Sequence, residues 1–95
     1  MFARVITTQV DPGGVDAVIR VAHEQLPEAR DEPGFTGFYL LADREAGRLM
    51  TISLWETRDD VLAAEAKAAQ LRSRMAQSAG VPVPDVDVYE VAVRA

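Results

Sequence analysis

The chain has 95 residues, 48% of them hydrophobic and 26% charged, with a formal net charge of −5, a single histidine and no cysteine. That length fits one domain, residues 1–95, able to bury roughly 65% of the unfolded chain's surface. Acidity argues against nucleic acid, which is bound through cations that neutralise phosphates, and the lack of cysteine removes disulfides, thiolate metal sites and cysteine nucleophiles together.

Only His23 could serve a metal or a Ser-His-Asp triad, so no metal is expected. No apolar run approaches the roughly 20 residues of a membrane-spanning helix, and Met1 leads into a strand-like segment without a cationic-then-apolar signal. No membrane partner is expected, and the cytoplasm is the default location.

Phe2 to Val10 is rich in β-branched residues and predicts strand one. Asp11, Pro12, Gly13 and Gly14 break it. Val15, Val18, Ile19, Ala22 and Leu26 then follow at spacings of three and four, the stripe of an amphipathic helix that Pro27 should kink or end. Pro33 and Gly34 introduce strand two, Phe35 to Ala42, and a charged loop from Asp43 to Gly47 leads into strand three, Arg48 to Glu56. Thr57 and Asp60 resemble a capping box opening a second helix that runs to about Ala79, before Gly80. Its inward stripe would be Val61, Ala64, Ala68, Leu71 and Met75. Pro82 and Pro84 close the connection to a last strand, Val86 to Val93. The order is βαββαβ, an α+β fold of ferredoxin-like type with a four-stranded antiparallel sheet.

If Leu41 faces Leu49, one hairpin face carries Thr36, Phe38 and Leu40 beside Met50, Ile52 and Leu54, and is almost wholly apolar. The other carries Phe35, Gly37, Tyr39 and Leu41 beside Leu49, Thr51, Ser53 and Trp55, an apolar surface with three hydroxyls and an indole N–H. Two helices can cover one face only. The second cover is expected to be another copy of the chain, and the mixed face suits a small-molecule pocket as well as it suits a core with internally bonded hydroxyls.

The PGFTGFYLL segment, the TISLWET strand end running into an acidic, alanine-rich helix, and the βαββαβ order resemble the antibiotic biosynthesis monooxygenase domain of the dimeric α/β-barrel superfamily, over nearly the whole chain. The resemblance implies a homodimer whose two sheets face each other, with a site between each sheet and its helices. It implies two activities. Some relatives oxidise polycyclic phenols to quinones with molecular oxygen and no metal or flavin, and others bind haem and degrade it.

Trp55 matches the tryptophan that takes part in both kinds of pocket. The strand asparagine of the phenol oxidases is Thr51 here, and their helix tyrosine falls near Val61. The strand-one asparagine of the haem degraders falls among Ile6, Thr7 and Thr8, and their axial histidine falls near Glu65, which disfavours haem degradation. The resemblance therefore implies an oxygenase without cofactor acting on a small aromatic or quinol-like molecule, and the mixed face adds Tyr39 and Ser53 to Trp55 and Thr51 as the residues lining its site.

His23, at the margin of the helix-one stripe, is either the base that takes a phenolic proton or a half-exposed surface residue. Arg4, within strand one, must find a partner, reach solvent or meet an anionic ligand. Glu90 on strand four is the partner expected for it. Glu65 and Arg72 flank the second helix's stripe, where they would line a pocket mouth or remain solvated, and Tyr89 could serve core or pocket.

Overall fold

A computed structural model describes residues 1–79 and 85–95, with side chains of the second helix described as far as residue 69. The expected places of Leu71, Arg72 and Met75, and of Gly80, Pro82 and Pro84, lie outside the described residues. Strand β1 (Phe2–Gln9) leads through a 3₁₀ turn at Pro12–Gly14 into helix α1 (Val15–Arg30). Strands β2 (Phe35–Asp43) and β3 (Arg48–Trp55) follow, then helix α2 (Arg58–Ala79) and strand β4 (Asp85–Glu90). The strands form one antiparallel sheet in the order β2-β3-β1-β4, the ferredoxin-like arrangement that the element order implies.

Two boundaries differ from expectation by more than one residue. Helix α1 continues past Pro27 to Arg30. The proline leaves the His23 carbonyl without its helical donor, but both residues are exposed, so water can satisfy that oxygen at little cost. Strand β4 stops at Glu90, three residues short of the expected Val93, because Glu90 pairs with Phe2, where its partner strand begins.

The hairpin register also differs, by one residue. Leu41 pairs with Met50 and Ala42 with Leu49, and the irregularity that shifts the pairing falls between Phe35 and Gly37. An extra residue in one strand exchanges the faces of everything beyond it. The pair Asp43 and Arg48 closes the hairpin. Phe35, Phe38 and Leu40 therefore share a face with Trp55, Ser53 and Thr51, and Tyr39 and Leu41 share the other with Ile52 and Met50.

Both helices pack on the face of Trp55, whose indole is 2% exposed and forms the centre of a cluster with Val61, Ala64, Phe2 and Phe35. The entry of α2 is tied down by the Asp60 amide donating to Thr57 Oγ1 at 3.1 Å, while the Thr57 hydroxyl donates to Asp60 Oδ2 at 2.8 Å. The Asp60 side chain lies against Gly34, which has φ +80 and where a Cβ would collide with it. Gly34 in turn accepts the Glu56 amide at 2.8 Å. This joint fixes the start of β2 and of α2 around the end of β3, and so positions Trp55. On the far face Ala3, Val5, Tyr39, Leu41, Met50, Ile52 and Leu54 alternate with these residues. Among the described residues no helix covers that face, and Tyr39 and Leu41 are 60% and 50% exposed there.

Candidate functional site

Strand β3 delivers three of the predicted site residues to one side, because residues two apart in a strand share a face. Trp55, Ser53 and Thr51 all point toward the helices. The Trp55 indole N–H donates to Ser53 Oγ at 2.9 Å, so this hydroxyl serves as the tryptophan's acceptor. Phe35 meets the indole edge to face, with centroids 5.5 Å apart and planes at 86°. The Arg4 guanidinium lies 5.7 Å from the indole centroid, within cation–π range.

Between this floor and the helices lies a cavity of about 360 Å³. Phe35, Phe38 and Trp55 supply its aromatic wall, and Ala64 and Ala68 of α2 leave the room that larger side chains would fill. Arg4 and Ser53 present polar groups from the floor. At the mouth Lys67 donates to Glu32 Oε1 at 3.3 Å, linking α2 to the turn that follows α1. A second cavity of about 300 Å³ shares Arg4, Gln25, Ala29, Phe38 and Ala68 with the first and adds Thr51. A third, of about 270 Å³, holds His23 and Leu40 and shares Phe38 and Leu26 with the second. The three are compartments of one cleft, and Phe38 borders them all.

The fold thus brings Trp55, Ser53 and Thr51 together and sets His23 at the other end of the cleft. Tyr39 stands apart from them, paired with Ile52 on the uncovered face. The one-residue shift puts Phe38 where Tyr39 was expected. Gly37 inside the strand was the available signal, since a glycine there often marks a bulge.

Arg4 pairs with Glu65, not Glu90, at 3.3 Å. Glu90 stands opposite Phe2 at the end of the sheet, whereas Glu65 hangs from α2 above the floor. Arg4, which the sequence already marked as able to meet an anionic ligand, is in phase with Phe2 and Ile6 on the covered face. Lys67 and Gln25 carry no comparable signal. Among the described residues no three His, Cys, Asp or Glu side chains gather into a group able to hold a metal ion, and no helix is long and apolar enough to cross a membrane.

The family model described as antibiotic biosynthesis monooxygenase matches residues 1–76. An uncharacterized protein of Mycobacterium tuberculosis is 34% identical over 79 residues, which is 80% of this chain and 33% of that protein. The chain therefore spans about a third of that relative's length. A monooxygenase from the gene ActVA-Orf6 of Streptomyces coelicolor, solved in complex with Nanaomycin D, is 20% identical with a TM-score of 0.73, covering 99% of this chain and 89% of the other. A haem-degrading protein of Mycobacterium tuberculosis is 17% identical with a TM-score of 0.68, covering 99% and 96%. At these identities the two structures share the fold.

Proposed function

The chain belongs to the antibiotic biosynthesis monooxygenase family, and on that premise we propose that it is a cofactor-independent monooxygenase oxidising a small aromatic or quinol-like substrate with molecular oxygen. The carrying observation is the cleft itself, a cavity of about 360 Å³ walled by Phe35, Phe38 and Trp55 with polar groups on its floor. Its size and apolar lining with a few directed polar groups suit a planar ring system.

Chemically, the protein's task is to deprotonate and orient the ring. A phenolate is electron-rich enough to reduce oxygen itself. One oxygen atom enters the ring as the new quinone carbonyl, the other leaves as water, and the substrate supplies all the electrons. Trp55, Ser53 and Thr51 line the cleft for this role and His23 is the base within reach of its far end, whereas Tyr39 could contribute only from the opposite face. The protein works as a cytoplasmic homodimer, its partner covering the apolar face that carries Ile52 and Leu41.

A second reading, a dimer that binds a small apolar metabolite without turning it over, is favoured by Val61. It is fully buried against Trp55, at the position near which the phenol-oxidising relatives carry a tyrosine. An oxygen electrode with 1-naphthol, which needs one inserted oxygen atom to become its 1,4-quinone, separates the two readings. Enzyme-dependent oxygen uptake, with the quinone forming beyond the autoxidation rate, is the expected result. Saturable binding without such uptake supports the binding module instead. Haemin is expected to give no sharp saturable Soret shift, because the described helix α2 residues include no histidine; a stoichiometric shift that bleaches with reductant and oxygen would overturn the reading.

A further inference from the structure

We propose that Arg4 and Ser53 form an oxyanion site on the floor of the cleft, so that the ligand is an aromatic molecule bound as its phenolate, enolate or carboxylate. This deepens the reading of the cleft as an aromatic site and rests on it.

The inference starts from Ser53, which is 2% exposed and yet borders the cavity. Its oxygen already accepts the Trp55 indole N–H at 2.9 Å. Its own hydrogen must go elsewhere. The residues directly opposite it on the two flanking strands are Arg4 and Phe38. A guanidinium is a donor only, and a phenyl ring has no acceptor atom. Among the described residues that hydroxyl makes no hydrogen bond to an acceptor, and the open volume next to it is the cavity.

Arg4 supplies the second donor. It stands beside Ser53 on the adjacent strand, lines both larger compartments, and lies over the same indole. Glu65 holds it at 3.3 Å, longer than the roughly 2.7–2.9 Å of a tight charge-assisted bond. The carboxylate acts as a resident counter-ion, keeping the cation satisfied while the cleft is empty and yielding part of it to an incoming oxyanion. Two donors on the floor, one of them a cation, next to three aromatic rings, select a ring with a negatively charged oxygen over its neutral counterpart.

The test compares 2-hydroxy-1,4-naphthoquinone, an enolate at neutral pH, with its methyl ether, which has the same rings and no charge, by isothermal titration calorimetry. The parent protein is expected to bind the enolate about 10- to 100-fold more tightly, the usual worth of a hydrogen bond to a charged group. Arg4→Gln should erase that preference while leaving binding of the ether unchanged, and Ser53→Ala should reduce it several-fold. Glu65→Gln moves the opposite way: it retains Arg4, removes the negative charge held 3.3 Å from it, and should tighten the enolate alone. A merely structural Arg4–Glu65 pair would instead make both substitutions weaken both ligands.

Equal affinity of the parent for the two quinones would overturn the oxyanion site and leave the aromatic cleft standing. So would a preference that survives Arg4→Gln, or enolate binding that Glu65→Gln leaves unchanged or weakens. Binding of neither quinone would overturn both.

Discussion

The two faces of this sheet are built from alternate residues of the same strands, and they have different fates. Toward the helices, Trp55, Ser53, Phe38 and Arg4 enclose a cleft in which each polar group has a direction: indole to hydroxyl, guanidinium to Glu65. Away from the helices, Ile52, Val5, Tyr39, Leu41 and Met50 offer apolar surface that no helix among the described residues covers. Hydrophobicity alone does not separate them. What separates them is what packs above: helices standing off on alanines leave a cavity, whereas a bare pleated face can be matched closely by another like it.

The comparison can be broken hardest at Trp55. Truncation to alanine removes the centre of the Phe2, Phe35, Val61 and Ala64 cluster and should cost about 3–5 kcal/mol in denaturant unfolding. Trp55→Phe keeps most of the packing. It should lose far less stability while weakening quinone binding, since the ring borders the cavity. A phenylalanine variant that unfolds as readily as the alanine one, with unchanged ligand affinity, would make Trp55 a core residue and no more.

On the opposite face the decisive position is Ile52, which pairs with Val5 on one side and Tyr39 on the other and so lies at the centre of the apolar surface. Ile52→Glu should weaken the proposed dimer by about 100-fold or more, because a carboxylate in that interface is desolvated without a partner. Light scattering across a dilution series reads this directly. A parent protein that is already a monomer of about 10 kDa at micromolar concentration would remove the second copy altogether.

The smallest effect belongs to the joint that serves both faces. Thr57→Ala loses the bond from the Asp60 amide and should cost about 1 kcal/mol, or about 4–8 °C in Tm for a domain of this size. Calorimetry that shows no change would mean that packing alone fixes the entry of α2.

Periodicity and turn chemistry in the sequence determined the element order, the cap at Thr57, the stripe through Val61 and Ala64, and the presence of Ser53 and Trp55 on one face. Each is set within a few residues by backbone geometry. The pairing of β2 with β3 was not legible at that range. A single bulge near Thr36 decides it, and it exchanges Phe38 for Tyr39 in the cleft. The partner of Arg4 was also decided at a distance, since Glu65 is 61 residues away and meets it only after α2 folds back over the sheet. Local patterns state which residues share a face; only the packed elements decide which face encloses space, because a cavity belongs to the gap between elements and to no single one of them.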